Sequence, residues 1–92
     1  MYYLICFDIS DNRIRYRAVK LLKGHCLRVQ KSVFECPALT EKQLLDLQDK
    51  LLALIDQTTD SLRYYRLCRA CCAEIEWTGQ GRGPLNSNFI AI

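Results

Sequence analysis

The stretch MYYLICFDISDNRIRYRAVKLLKGHCLRVQKSVFEC, residues 1–36, decides the fold. It opens on a run, Tyr2 to Ile9, without the alternation of a half-buried strand. Tyr3, Ile5 and Phe7 point one way, Leu4 and Cys6 the other, and all are apolar. A strand apolar on both faces is covered on both faces. Asp8 breaks the run and shares the Leu4 and Cys6 side, by the two-residue period of a strand. Ser10 or Asp11 can cap the next element, since either short side chain accepts from an orphan N–H. Ile14, Ala18, Leu21 and Leu22 form an apolar stripe at helical spacing, and Lys23–Gly24 supplies an end, so a helix is predicted over 11–23. Beyond it, Leu27 and Val29 share one strand phase, whereas Phe34 and Cys36 share the opposite one. A tight turn or bulge near Gln30–Lys31–Ser32 therefore divides two short strands, and Pro37 ends the second.

The rest of the chain completes the pattern. Thr40 with Gln43 makes a capping box, and Leu44, Leu47, Leu51, Leu54 and Ile55 carry a helix to about residue 56. Ser61 to Leu67 reads as a fourth strand, favoured by Tyr64 and Tyr65. The order strand, helix, strand, strand, helix, strand is the α+β, ferredoxin-like βαββαβ arrangement. It places both helices on one face of an antiparallel sheet and leaves the other bare. Because the first strand is apolar on both faces, a second copy of the chain is the expected cover, and a homodimer is predicted. Ala73 to Trp77 can add a fifth short strand. Residues 1–78 thus form one ferredoxin-like domain. Residues 79–92 form a Gly-rich linker and a C-terminal edge strand, Asn88 to Ile92, docking on the dimer.

Composition bounds the function. A chain of 92 residues is one domain, and at that size it buries only roughly 60–65% of its unfolded surface. Half of its residues are hydrophobic, a surplus that again favours self-association. The net charge of +3 is unevenly spread: Arg13, Arg15, Arg17, Lys20, Lys23, Arg28 and Lys31 lie in a segment whose one acid is Asp11. The acids Glu41, Asp46, Asp49, Asp56 and Asp60 lie in the second half, so one basic and one mixed, solvated face are expected. Tyr2 to Phe7 is too short for a signal segment, and no run approaches the roughly 20 apolar residues of a membrane span. A cytoplasmic location without membrane contact is expected, where the six cysteines stay reduced. Cys6, Cys26 and Cys36 read as small core residues.

Asp8 is the candidate for chemistry. A carboxylate at a strand's end can take Mg2+, a hard ion that prefers oxygen ligands. One carboxylate is a poor site, but a two-fold axis beside Asp8 would add a second copy, and paired carboxylates invite a cation. The plain alternative is a strand-end Asp that helps start the helix. Arg13, Arg17 and Lys20 share a helical face, with Arg15 on another side. Such a cluster suits a phosphate backbone, the alternative being a solvated face. Cys68, Cys71 and Cys72 contain a CxxC, but a structural zinc needs four ligands and His25 is distant in sequence. A thioredoxin-type CxxC opens a helix, whereas this one follows the final strand. A packing role for the three, and a loop role for His25, are expected. Nucleotide-loop, dinucleotide and hydrolase motifs do not occur in the chain, so metal-assisted catalysis is the one kind the residues offer.

The segment FDISDNRIRYRAVKLLKGHCLRVQKSVFEC, residues 7–36, resembles the start of the Cas-two family, the smaller CRISPR-associated adaptation subunit. The family shows an aromatic–Asp pair at the end of its first strand, an Arg-rich first helix and an R-V-Q-x-S-V-F block. Here these are Phe7–Asp8, Arg13 to Arg17, and Arg28 to Phe34. DSLRYYRLC, residues 60–68, resembles the family's fourth strand, and the likeness spans residues 2–77. It implies a ferredoxin-like homodimer with two Asp8 copies facing across the axis. It also implies a role in spacer acquisition, in which the dimer binds duplex DNA and bridges the Cas-one integrase in a heterohexamer-type complex. Some members are described as metal-dependent endonucleases on single-stranded RNA or double-stranded DNA. Their metal residue maps onto Asp8, with Mg2+ or Mn2+ as the ion. Their cleavage-linked residues map onto Arg15, Arg17, Arg28 and Phe34. On this reading Arg13, Arg15, Arg17, Lys20, Arg28 and Lys31 contact nucleic acid.

Overall fold

A computed structural model describes residues 1–79 of the chain. The elements are β1 (Tyr2–Asp8), α1 (Asn12–Lys23), β2 (Leu27–Gln30), β3 (Val33–Cys36), α2 (Glu41–Leu54), β4 (Ser61–Leu67) and α3 (Arg69–Ala73). The strands form one antiparallel sheet in the order β2-β3-β1-β4, with β1 central. This is the ferredoxin-like α+β order that the strand and helix pattern implies. The predicted C-terminal edge strand lies outside the described residues.

The sheet sorts its side chains by the pleat. Tyr3, Ile5 and Phe7 of β1 and Phe34 and Cys36 of β3 are buried on one side. There they meet Ala18, Val19 and Leu22 of α1 and Leu44, Leu47 and Leu51 of α2 in a single core. Phe7 and Phe34 stack with ring centroids 6.0 Å apart and planes at 29°. On the opposite side Leu4 and Cys6 are half-buried, and Asp8 and Tyr65 are exposed. One chain therefore leaves the second apolar face of β1 only partly covered.

Local chemistry fixes the boundaries. The Asp11 carboxylate accepts from the Arg13 and Ile14 N–H groups and caps α1. Ser10 takes no part in that cap. Thr40 and Gln43 close the reciprocal capping box of α2. Gly24 ends α1 with φ −65°, a right-handed conformation. A Cβ there would meet the Leu21 carbonyl oxygen at 3.3 Å, a tight contact. Between β2 and β3 both expected devices occur, a turn at residues 31–32 and a register shift between Arg28 and Gln30.

Four expectations are corrected. Helix α2 stops at Leu54, not at residue 56, because the Asp60 carboxylate takes the Asp56 N–H and turns the chain. Ala73 to Trp77 forms no strand: α3 occupies residues up to Ala73, with the Cys68 sulfur accepting from the Cys71 N–H at its start. The CxxC therefore does open a helix, a short one that packs Cys72 into a buried position. Cys26 and Cys36 are not separate thiols but a disulfide, because the entry to β2 and the end of β3 bring their Cα atoms within 4.3 Å. No helix among the described residues is long and apolar enough to cross a membrane.

Candidate nucleic-acid interface

The β1–α1 corner is fastened from three sides. From β3's side, the Ser32 carbonyl accepts the Phe7 N–H at 3.1 Å. From the loop before β4, one Asp60 carboxylate oxygen accepts both the Ser10 N–H and the Ser10 hydroxyl, each at 3.1 Å. From α1, the Arg15 guanidinium reaches back to the Ile9 carbonyl at 3.1 Å and the Ser10 carbonyl at 3.4 Å. Asp8 sits at this corner, exposed, opposite Ser61 of β4 in the sheet register. The strand end is thus held rigidly while its carboxylate faces solvent.

Asp60 is the residue that sequence reasoning missed, having counted it with the solvated acids. Its carboxyl lies below the usual range, first through the Asp56 N–H and then through the Ser10 N–H. Asp56 is lowered as well, first by the Thr58 hydroxyl and then by the Thr58 N–H. The run Asp56–Gln57–Thr58–Thr59–Asp60 does carry an Asx-turn signal. Its partner Ser10, however, lies fifty residues away.

Six residues line a cleft of about 200 Å3 at the corner: Phe7, Asp8, Ile9, Arg15, Lys31 and Ser32. Of the candidate residues, the fold thus brings Asp8, Arg15 and Lys31 together. Arg28 acts as a brace beside them, its Nε and Nη2 donating to the Lys31 carbonyl at 3.0 and 2.6 Å. Arg17 and Lys20 lie apart, along a groove with Leu21 of α1 and Leu54 of α2. Lys20 also sits 5.6 Å from the centre of the Tyr16 ring. Arg13 is exposed on α1. Phe34 is the correction among these residues: it is 0% exposed and packed on Phe7, so its ring lies in the core and not on the wall of the cleft.

Electrostatically the segment is unbalanced. Lys50 pairs with Asp46 on α2, whereas the cations of the basic segment pair with no carboxylate among the described residues. Arg13, Arg15, Arg17, Lys20, Arg28 and Lys31 therefore keep their charge available to an outside anion. As for a metal, the described residues hold no cluster of three or more His, Cys, Asp or Glu side chains. The Ile9 and Ser10 carbonyls beside Asp8 are occupied by Arg15. Among the described residues this corner thus supplies one carboxylate, Asp8, and no all-protein cage for a divalent ion.

Comparison with known proteins agrees with this architecture. Residues 1–75 match the family model described as CRISPR associated protein Cas2. The CRISPR-associated endoribonuclease Cas2 1 of Chloroflexus aurantiacus is 45% identical over 93 aligned positions, covering 100% of this chain and 99% of that protein. The crystal structure of Streptococcus pyogenes Cas2 superposes with a TM-score of 0.78 at 31% identity, covering 86% of this chain and all 100% of the other. A chain from a partial Cas6-RT-Cas1–Cas2 complex superposes with a TM-score of 0.70 at 31% identity, covering 82% of this chain and 81% of that one.

Proposed function

The chain belongs to the CRISPR-associated Cas2 family, and from that premise we propose that it works as a homodimeric subunit of spacer acquisition, binding duplex DNA and bridging the Cas1 integrase in the cytoplasm. The observation that carries this reading is the set of six cations on α1 and the β2–β3 hairpin with no carboxylate partner among the described residues. A phosphate backbone supplies what they lack, and Arg adds bidentate geometry. The dimer follows from β1, whose second face presents Leu4 and Cys6 only half-covered beside Tyr65. Pairing that face with its own copy buries the strand on both sides and draws the two Asp8 corners toward one axis. Assembly with Cas1 is supported by the likeness to the chain of the Cas6-RT-Cas1–Cas2 complex.

The test is the salt dependence of duplex binding. Each phosphate contact contributes about 0.9 to the slope of log affinity against log salt. Replacing Arg13, Arg17 and Lys20 together with Ala should lower that slope by about 2.7 for each chain that touches the duplex. These three are chosen because none braces the fold. An unchanged slope and affinity would refute the scaffold reading.

A second reading rests on the cleft itself. Asp8 beside Arg15 and Lys31 places a carboxylate next to two cations, and the Chloroflexus relative carries the name of an endoribonuclease. Two Asp8 carboxylates across the dimer axis would fit Mg2+ or Mn2+, whose role when bound is to neutralise charge on a phosphodiester. Arg15 would orient the phosphate from a guanidinium already fixed on the Ile9 and Ser10 carbonyls, and Arg28 would hold the turn that presents Lys31. Purified protein should cleave single-stranded RNA or duplex DNA in a metal-dependent way that Asp8→Ala abolishes. Equal cleavage by both proteins would exclude this activity.

A further inference from the structure

At the far end of β4 from Asp8, the chain presents a second reactive constellation. Cys68 and Cys71 are both exposed, and their sulfurs lie 3.3 Å apart. Cys68 lines a cavity of about 420 Å3 at the sheet end, together with Met1, Tyr2, Arg66, Arg69 and Cys72. Arg66 and Arg69 carry no carboxylate partner among the described residues. The remaining cysteines are not equivalent: Cys26 and Cys36 are already joined, Cys6 is half-buried and Cys72 is 1% exposed. Capping accounts for the Cys68 sulfur at the start of α3, but not for a second exposed thiol in contact with it, nor for Arg66 and Arg69 around the Cys68 cavity.

We propose that Cys68 and Cys71 form a reversible dithiol–disulfide site that exchanges with small anionic disulfides of the glutathione class. The Cys68 thiolate attacks one sulfur of the disulfide, that S–S bond breaks, and one glutathione leaves carrying a proton. The Cys71 thiol then loses its proton and attacks the Cys68 sulfur, breaking the mixed disulfide and releasing the second glutathione. Two protein thiols are oxidised by two electrons, one glutathione disulfide is reduced to two thiols, and the two cysteine protons end on the products. Arg66 and Arg69 select carboxylate-bearing reagents by charge. The division of roles agrees with the acidities. The Cys71 N–H, and then contact with the Cys71 sulfur, lower the Cys68 thiol, whereas contact with Cys68 raises Cys71. Burial raises Cys72 and Cys6. The attacking thiol is the one with more thiolate.

The full chain is exposed to graded ratios of reduced and oxidised glutathione, blocked with N-ethylmaleimide and mapped by peptide mass spectrometry. Wild type should show a Cys68–Cys71 link and retain no glutathione. Cys71→Ser should retain one glutathionyl group, on Cys68. Cys68→Ser should react at least about tenfold more slowly than Cys71→Ser. Arg66→Ala with Arg69→Ala should slow reaction with glutathione disulfide several-fold while leaving the neutral reagent 2-hydroxyethyl disulfide unaffected. The site is refuted if both thiols stay free in wild type at every ratio. It is equally refuted if the Cys71→Ser adduct maps to Cys6 or Cys72, or if the purified protein holds the two sulfurs on a chelatable zinc ion.

Discussion

Replacing Phe34 separates packing from catalysis at this corner. The family likeness attaches cleavage to the position, but the ring is 0% exposed and stacked on Phe7 at 6.0 Å. Truncating a buried Phe to Ala costs about 3–5 kcal/mol. A domain of this length holds only about 5–13 kcal/mol in total, so Phe34→Ala should lose a large share of its stability and blur any loss of activity with loss of fold. Phe34→Leu is the informative variant. It keeps most of the volume and loses the ring–ring term, about 0.5–1.5 kcal/mol, plus a small cavity cost. A total near 2 kcal/mol lowers the midpoint of thermal unfolding by about 8–16 °C in a domain this small. Melting should be followed by circular dichroism at one fixed protein concentration, since a dimer's midpoint depends on it. Duplex affinity, and any cleavage, should then be measured well below the new midpoint and match wild type. A Phe34→Leu protein that melts like wild type yet fails to bind or cleave would show that the ring meets substrate, and would refute the placement.

Other perturbations test the supports. Asp11→Ala removes the acceptor for two N–H groups at the start of α1 and should cost about 1 kcal/mol in denaturant unfolding, with binding unchanged when folded. Opening the Cys26–Cys36 bridge, which spans ten positions, should cost roughly 2–3 kcal/mol by loop closure, read as a lower midpoint after reduction or in Cys26→Ser/Cys36→Ser. The depressed carboxyls of Asp56 and Asp60 set a pH dependence whose sign is fixed. The unfolded state binds protons first, so their stabilisation is complete above about pH 4 and is lost as pH falls further, through the folded-state values. Asp60→Asn should flatten that acid limb, and an acid limb as steep as wild type in this variant would refute the assignment.

Elements whose signals are local were legible in the sequence. The Asp11 cap, the Thr40–Gln43 box, the phase flip between Leu27–Val29 and Phe34–Cys36, and the span of β4 each depend on neighbours within a few residues. What failed depended on partners remote in sequence. The Asp60–Ser10 tie joins two loops that no periodicity relates. The Cys26–Cys36 bond depends on how a helix exit meets a strand end. The last element failed for another reason. Ile75 and Trp77 suggest strand, but the Cys68 sulfur and two alanines set a helical turn first, and Ile75 closes it by donating its N–H to the Cys72 carbonyl. Within the site, the sequence supplied the residue types but not their grouping. Arg13, Arg15, Arg17 and Lys20 look like one patch in a line of text, yet a helix turns about 100° per residue, which sets Arg15 about 200° from both Arg13 and Arg17. That rotation sends Arg15 to the Asp8 cleft and Arg17 to the α1–α2 groove.

The division of the basic residues bears on which activity the fold favours. Arg15 and Arg28 spend their donors on backbone carbonyls, Ile9 and Ser10 in one case and Lys31 in the other. A guanidinium so tied is oriented in advance, and its loss would disturb the corner as well as the charge. Arg13, Arg17 and Lys20 make no such tie, which leaves their donors open to a phosphate backbone of any sequence. Binding and cleavage should therefore respond to different variants. Removing the free cations should weaken duplex affinity in proportion to the slope lost, and leave the Asp8 corner intact. Replacing Arg15 with Lys keeps the charge but not the fork that spans two carbonyls. If cleavage is genuine, Arg15→Lys should lose it while holding the salt slope of wild type, and a loss of both together would mean that the corner and the DNA surface are one site.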